Sequence, residues 1–559
     1  MPVTNQHSSA GVYTSYRDQS AYGKRVNSSV YGTVGQARRG PINVKTRVLD
    51  PTDYTNIFGK RDPKYGPMGC AAELMAAQSS YGYYVRLVNN AKYAVAHLSV
   101  DDVNASVQKL NLSVNTVNGD IQGIAEPDDL GFLPNDPGVD HMIGSFYAAD
   151  PGDWNNDVSV LISPSCPKGL DPIKNRGKYN QKLFKISVYE NYVNEFSTPV
   201  EEHTVSLDDY KDEFDVQYQI EEVLKNKSRY LRFKLNEYRH PNLLFVTSAF
   251  VFLKGGSDGD AVGYDAVAQA FLDHFSDPEE LAVNLLVDTH VANHVVHRAM
   301  SSASGNHVNC HCIAVVPQEY AGSVNRIAQY RRNVLNLRVD NMSLYTGRVQ
   351  VFDSHTARRY FVPCGGYVAS VYLYVDRTRG SHFAPAGVKA SEQLKILDMD
   401  YYFDQEERDA LTDVQVNYFR RLPNNLGIVL WEQATLLDTP SAFQMTSIKR
   451  LTGLVLASSQ SAARIGLFDP NDSILRDQLD AIIDDIMRSL SGARAFRPGS
   501  GRSNRGYQIV CNDKNNTADT IANGDLVIDI VFDATRTTKR IGVRFNINPK
   551  GSTATSFVA

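Results

Sequence analysis

The sequence predicts a multidomain α/β protein with a layered α/β core, one or more inserted mainly-β domains, and extended strand arms at both ends. Between residues 284 and 334, short apolar strands alternate with helical segments, which is typical of a mostly parallel sheet. Between residues 93 and 234, short alternating segments rich in Asn, Asp and Val replace that order. Residues 526–532 and 541–547 each place apolar side chains on one face at a period of two.

Length and charge limit the function classes. A chain of 559 residues exceeds one ordinary core and predicts two to four domains. The net charge of −5 provides no basic field for nucleic acid or anionic lipid. No apolar run approaches the roughly 20 residues of a membrane span, and residues 1–10 lack the apolar stretch of a signal peptide. Six cysteines in so long a chain predict no disulfide framework, which favours assembly in a reducing cytoplasm.

The N-terminal half is predicted as follows. Residues 1–20 are polar with one short extended segment, and residues 29–34 form a strand. A short helix over 68–79 and a buried strand over 83–88 come next. Inside the inserted region, residues 110–114 and 184–189 alternate as strands, and the acidic segment 212–222 is either a solvated face or a short helix.

The core resumes near residue 243. Helices are predicted over 265–274, 291–300 and 320–334, and strands over 284–287 and 310–316. The strongest helix runs from 472 to 490, with Asp472 as its cap and Gly492 at its end. Its apolar stripe is Leu475, Leu479, Ile482, Ile483, Ile486, Met487 and Leu490, and its acidic face is Asp477, Asp480, Asp484 and Asp485. Residues 494–505 are predicted as a Gly/Ser/Arg linker to the terminal strands.

These patterns divide the chain into five segments. We predict an N-terminal arm over residues 1–29, the first part of the core over 30–92, the inserted outer β domain or domains over 93–235, the second part of the core over 236–500, and a strand-exchange sheet and arm over 501–559.

The terminal strands are the most informative feature. Their apolar faces consist of Leu526, Ile528, Ile530 and Phe532, then Ile541, Val543, Phe545 and Ile547, with a polar turn between them. A lone hairpin is marginally stable in water, and its open edges accept a strand from another chain. The pattern therefore predicts a chain that joins copies of itself.

No group of residues predicts catalysis or metal binding. His307, Cys310, His311 and Cys312 lack the second ligand pair that zinc requires, so buried structural residues are favoured. The glycines of residues 255–259 match no phosphate-binding spacing, which favours a structural loop. For His290, His294 and His297, a polar helix face is favoured over a metal site. We expect no cofactor.

Several short motifs occur in an order typical of one family. They are Ala10-Gly11-Val12-Tyr13, Gly35-Gln36-Ala37-Arg38-Arg39-Gly40-Pro41, Val85-Arg86-Leu87, Pro151-Gly152-Asp153-Trp154-Asn155-Asn156, Gly255-Gly256-Ser257-Asp258-Gly259, Asp376-Arg377-Thr378-Arg379-Gly380, Trp431-Glu432-Gln433-Ala434-Thr435 and Phe468-Asp469-Pro470-Asn471-Asp472. Together they resemble the sheath proteins of contractile bacteriophage tails, a family within the contractile injection systems. Ala10 replaces the family's usual proline and Glu432 its usual glycine, and residues 93–142 are covered least.

The resemblance implies a structural subunit and no enzyme. Such subunits polymerise into helically stacked, hexameric rings around a tail tube and contract to drive the tube through the host envelope. The implied partners are copies of the chain, the tube protein, and baseplate and terminator proteins, with no nucleic acid and no membrane insertion. The resemblance also implies that the protein is located in the virion tail and is assembled in the bacterial cytoplasm.

The resemblance also assigns roles to residues. The donated N-terminal strand would be Gly11, Val12, Tyr13, Thr14, Ser15 and Tyr16, and both terminal strands would supply the exchange sheet. Residues that would face the tube are Asp477, Asp480, Asp484, Arg494, Arg497 and Arg502, against the alternative that this helix only packs on its own core. A tailocin or secretion-system sheath remains an alternative, and an α/β enzyme is a more distant one.

Overall fold

A computed structural model describes residues 29–60, 75–103, 109–117, 120–131, 139–166, 180, 182–194, 196–240, 247–289, 293–353, 357–423, 426–498 and 505–538. Its strands are β1 Val30–Gly35, β2 Thr46–Val48, β3 Tyr81–Arg86, β4 Val95–Val100, β5 Leu110–Val114, β6 Thr116–Val117, β7 Asp120–Ile121, β8 Met142–Ala148, β9 Val158–Pro164, β10 Leu183–Glu190, β11 Glu201–Ser206, β12 Leu231–Leu235, β13 Ala249–Phe252, β14 Leu285–Val287, β15 His311–Val315, β16 Met342–Thr346, β17 Arg348–Asp353, β18 Arg358–Pro363, β19 Asp398–Met399, β20 Val416–Arg421, β21 Ile428–Leu430, β22 Tyr507–Val510 and β23 Asp529–Phe532. Its helices are α1 Pro51–Phe58, α2 Ile220–Lys227, α3 Tyr264–Phe275, α4 His294–Gly305, α5 Gln318–Ala321, α6 Val324–Gln329, α7 Gly365–Thr378, α8 Gln405–Asp413, α9 Thr446–Ala463, α10 Ser473–Gly492 and α11 Ala518–Ala522.

The largest sheet has eight strands in the order β2-β3-β1-β14-β15-β16-β20-β21. The strands from β3 to β20 pair in parallel, whereas β2 and β21 pair antiparallel at the two edges. Strand β1 sits between β3 and β14, which are separated by about 200 residues in sequence. The mixed α/β class, with several sheets and more than one domain, is confirmed.

Each face of this sheet has its own hydrophobic cluster. Val30 and Val34 of β1 pack in one cluster with Phe271 and Phe275 of α3, while Tyr31 packs in the other with residues of α1 and α7. Alternate strand residues point to opposite faces, so nearly every residue of the inner strands is buried. Gly32 faces α3, and a Cβ there would lie 2.4 Å from the Phe275 ring.

Two four-stranded antiparallel sheets follow β3 before the chain returns at β14. Their orders are β11-β10-β9-β13 and β12-β8-β4-β5. Phe184, Ile186 and Val160 of the first sheet share one cluster with Phe146 and Phe233 of the second. Helix α2 covers part of this cluster through Ile220, Val223 and Leu224.

The prediction of one continuous helix over residues 320–334 is wrong. Residues 320–334 do not form a single helix: α5 ends at Ala321, α6 begins at Val324, and residues Tyr330–Leu335 form a π-helix. Gly322 and Ser323 interrupt the first part. In the π-helix, buried Arg331 donates to the carbonyl oxygens of Leu337 (2.8 Å) and Leu436 (2.8 Å).

The chain divides into two compact units, residues 28–450 and a C-terminal unit that begins at Leu451. In the C-terminal unit, Ile483 and Met487 of α10 share one cluster with Leu454 of α9 and with Phe496 and Tyr507. The packing thus groups α10 with β22 and β23, whereas the sequence predicts a boundary at residue 501; the five predicted segments stay predictions. Among the described helices, none is long and apolar enough to cross a lipid bilayer.

Candidate assembly interface

The motifs near residues 37–41, 86 and 151 meet around one buried side chain. Arg86 is 2% exposed at the end of β3. Its Nε donates to the carbonyl oxygen of Ala37, its Nη1 to that of Gly40 and its Nη2 to that of Pro151, each at 2.9 Å. One guanidinium therefore ties the main sheet to the segment that carries the tryptophan motif.

The glycine-rich loop of residues 255–259 completes this junction. Asn156 accepts from the amide of Gly256 at 3.0 Å, and Asp258 accepts from the amide of Asp153 at 3.0 Å. Gly255 has φ +90°, and a Cβ there would lie 2.4 Å from the backbone nitrogen of Gly123. Close backbone packing accounts for these glycines, as the structural interpretation of the loop predicts.

The histidine and cysteine residues serve the core. Cys310, His311 and Cys312 are buried at or in β15, and His311 Nε2 lies 2.9 Å from Ser343 Oγ. The polar-face prediction for His297 is wrong, because this side chain is fully buried and hydrogen-bonds Asp288 (2.8 Å) and Tyr330 (2.9 Å). Over the described ranges, no three His, Cys, Asp or Glu side chains are grouped to hold a metal ion. His290 lies outside those ranges.

A two-stranded sheet forms the C-terminal candidate site. Strand β23 pairs antiparallel with β22, Tyr507 opposite Phe532 and Ile509 opposite Ile530. The strand predicted over residues 526–532 is shorter than expected and begins at Asp529. Within the described residues it pairs with β22. Ile528, Ile530 and Phe532 pack on the cluster beneath the sheet, while Leu526 lies half-buried before the strand.

Both outer edges of this sheet carry no further strand within the described residues. One isolated bridge, Phe496 opposite Ala534, extends the pairing beyond β23. On the outer face, Val531 is 65% exposed. Such edges present unpaired backbone groups that can accept a strand.

Residues 494–498 are not a free linker, contrary to the prediction. Phe496 is buried and packs on Tyr507 and Phe532, with ring centroids 5.6 and 5.2 Å apart. The amide of Arg497 donates to the carbonyl oxygen of Asp533 at 2.8 Å. The side chains of Arg494 and Arg497 remain exposed. Packing of Phe496, the one aromatic residue among residues 494–498, holds this segment against the β22–β23 sheet.

The acidic residues of α10 differ in what they contact. Asp477 and Asp485 are exposed, whereas Asp480 and Asp484 are half-buried. Asp484 accepts from the hydroxyl of Tyr507 at 2.6 Å, from Arg505 at 3.2 Å and from Arg488. Burial would raise the pKa of Asp484, but these hydrogen bonds and the two arginines outweigh it and lower the pKa. Burial, then Asp484 and Asp477, raise the pKa of Asp480.

Curated proteins that are similar to this chain in sequence are named tail sheath proteins. No protein-family model matches the chain. The tail sheath protein of Vibrio phage KVP40 is 25% identical over 319 residues, which cover 52% of this chain and 45% of that protein. The tail sheath protein of Enterobacteria phage T4 is 21% identical over 201 residues, covering 36% and 29%. The matched stretches thus span less than half of either relative.

Two crystal structures match nearly the whole chain. The sheath tail protein from Listeria innocua superposes with a TM-score of 0.55 and 10% identity, covering 91% of this chain and 96% of that one. The sheath tail protein from Desulfitobacterium hafniense gives 0.54 and 12%, covering 90% and 93%. The chain has the fold of sheath tail proteins. The predicted similarity to contractile-tail sheath proteins is confirmed.

Three parts of the predicted sheath site lie outside the described residues. They are the N-terminal segment Gly11, Val12, Tyr13, Thr14, Ser15 and Tyr16, the second strand with Ile541, Val543, Phe545 and Ile547, and Arg502. The strand-exchange roles of the two segments and the tube-facing role of Arg502 stay predictions.

Sequence reasoning missed an exposed apolar loop of the sheath fold between α9 and α10. Ile465, Leu467 and Phe468 are 66%, 64% and 103% exposed. Phe468 was noted only as part of a family motif. Periodicity does not show the exposure of a residue between two helices, so no signal in the sequence marks this surface.

Proposed function

We propose that the chain is a sheath subunit that polymerises into helically stacked, hexameric rings around a tail tube. Contraction of this sheath drives the tube through the host cell envelope, with no catalytic step and no cofactor. The observation that carries the proposal is the sequence similarity to phage tail sheath proteins, with 319 residues matched in one of them. The fold match over nine-tenths of the chain supports it.

Strand exchange would join the subunits. The two open edges of the β22–β23 sheet support this part of the proposal. Residues 11–16 and 541–547 of neighbouring copies would add strands there through main-chain hydrogen bonds. Contacts between unlike surfaces do not close on themselves and generate open helical assemblies.

The tube would contact the exposed side of α10 and the segment after it. Asp477, Arg494 and Arg497 are exposed and suit this role. Asp480 and Asp484 suit it less, since Asp484 already binds Tyr507 and two arginines of its own unit. Baseplate and terminator proteins would bind the two ends of the sheath, and the inserted β domains would sit on its outer surface. The place of action would be the virion tail, after assembly in the bacterial cytoplasm.

Electron microscopy tests the proposal directly. The purified full-length chain, alone and with the tube protein encoded beside it, should form striated tubes under negative stain. A protein that stays monomeric at high concentration in both samples contradicts the proposal. Neighbouring genes distinguish a phage from the alternatives of a tailocin or secretion system, because only a phage carries capsid genes beside its tail genes.

A further inference from the structure

The loop between α9 and α10 presents an apolar tip to solvent. Leu467, Phe468 and Ile474 are 64%, 103% and 64% exposed, with Ile465 beside them at 66%. Phe468 also has φ +69°, a left-handed conformation that bulky side chains rarely adopt. A fully exposed aromatic ring on such a backbone is typical of a contact surface, since neither feature stabilises the isolated subunit.

The charges around this tip are mainly negative. Asp469, Asp472 and Asp477 are exposed, against one exposed guanidinium, that of Arg464. Arg476 lies in the same stretch but is buried and bonds Asp513 at 3.0 Å. A surface that fits this loop must therefore combine an apolar or aromatic group with positive charge.

The β17–β18 hairpin in residues 28–450 has that composition. Phe352 is 52% exposed and lies directly opposite Arg359 in the strand register. Arg358 follows toward the tip, opposite Asp353, which is fully buried. Both arginines are exposed. Residues directly opposite each other share a face, so Phe352 and Arg359 offer an aromatic ring and a guanidinium group on one face of the hairpin, whereas Arg358 lies on the other face with Asp353.

We propose that the α9–α10 loop of one subunit docks on the β17–β18 hairpin of a second copy of this chain. The Phe468 ring would pack on Phe352, and Arg359 on the same face would meet the carboxylates of Asp469 and Asp477. The contact joins unlike surfaces of two copies, so it propagates from subunit to subunit as a helical lattice requires. This inference rests on the proposed self-assembly and names a second contact beside strand exchange.

Serine substitutions test the two rings. Phe468→Ser and Phe352→Ser should each raise the critical concentration for tube formation about tenfold or more, as loss of a central aromatic contact does. Phe196→Ser and Phe214→Ser are matched controls, since those rings are 84% and 86% exposed on other surfaces, and they should leave assembly unchanged. Circular dichroism and melting should stay the same for all four variants.

Charge reversal identifies the partner surface. The double change Asp469→Arg with Asp477→Arg and the single change Arg359→Asp should each weaken assembly, and mixing the two variants should restore it. Phe468→Cys in one copy and Phe352→Cys in another should form a disulfide-linked dimer on oxidation, whereas either variant alone should not.

The outcomes separate this inference from the proposed function. If the unchanged protein forms tubes and Phe468→Ser forms them equally well, the inference is wrong while the proposed function stands. If Phe468→Ser sheaths form normally but no longer hold the tube protein, the second copy is the wrong partner. If the unchanged protein forms no tubes with or without the tube protein, the proposed function fails.

Discussion

Arg450 and Asp376 form an ion pair inside the larger unit, where their side chains are 4% and 0% exposed. Nη1 of Arg450 donates to Oδ1 of Asp376 at 2.9 Å, and the guanidinium lies over the Tyr372 ring at 5.0 Å from its centroid. Burial would lower the pKa of Arg450, but the carboxylate of Asp376 outweighs it and holds that pKa above its usual value. Each charge depends on the other, because neither can be hydrated in place.

Removing one partner should therefore be costly. Arg450→Gln should lower the free energy of unfolding by about 3–5 kcal/mol, since it leaves the buried Asp376 carboxylate uncompensated. Lys185→Gln is the control, because Lys185 and Glu202 form an ion pair with both side chains more than two-fifths exposed. The control should change stability by less than about 1 kcal/mol in urea unfolding. Equal effects of the two changes would contradict this account.

Asp484 should make the stability of the protein depend on acidity. Its pKa is lowered in the folded state, so its contribution is complete above the unfolded pKa of about 4 and falls as pH drops through the folded value. At pH 7, Asp484→Asn should lower the free energy of unfolding by about 1–3 kcal/mol, the range for hydrogen bonds to a charged group. Urea unfolding should show the same gap at pH 7 and 5 and a smaller gap near pH 3.5. Asp485→Asn, on the exposed side of α10, should show neither effect.

At the scale of single elements, local patterns predicted the strands and helices with the clearest periodicity. Residues 265–274 and 472–490 have clear apolar stripes and became α3 and α10, and Asp472 caps α10 through the amide of Leu475. The π-helix Tyr330–Leu335 was not predictable from periodicity, because buried Arg331 bonds the carbonyl oxygen of Leu436, which is distant in sequence. Periodicity also did not predict that β23 pairs with β22. Both strands pack in one hydrophobic cluster with α10, and periodicity within a strand does not show such a contact.

Two glycines in helices should respond oppositely to alanine. At Gly365, the first residue of α7, a Cβ would lie 1.9 Å from the carbonyl oxygen of Asp288, so Gly365→Ala should cost about 1–3 kcal/mol. At Gly492, the last residue of α10, a Cβ meets nothing within 4 Å, and Gly492→Ala should stabilise by about 0.5–1 kcal/mol. Melting temperatures of the two variants should move in opposite directions; a shared direction would refute the packing argument.

At the scale of the whole molecule, the order of short motifs predicted the sheath resemblance, although each motif alone is weak. Several of these motifs meet at one junction within the larger unit, where Arg86 donates to the carbonyl oxygens of Gly40 and Pro151, and Asn156 accepts from the amide of Gly256. The assembly site was less predictable, because in the proposed sheath the groups that would complete an open sheet edge belong to other molecules.

Removing either terminal segment should block assembly without unfolding the subunit. Deletion of residues 1–20, or of residues 539–559, should yield protein with an unchanged circular dichroism spectrum that elutes as a monomer. Long tubes from either variant would show that strand exchange does not join the subunits. Unfolded product would show that the segment belongs to the subunit's own core.

The two antiparallel sheets begin and end at the same place on the larger unit. Lys92 and Ser257 bridge antiparallel, as do Val95 and Lys254, and Asn89 pairs with Gly259 and Asp260. The sheets therefore form a cassette whose two ends lie side by side, so that a short turn could replace it at the cost of the bond from Arg86 to Pro151. Evolution can exchange such a cassette without redesigning the parent fold, and an engineer can use the same junction to display a foreign domain.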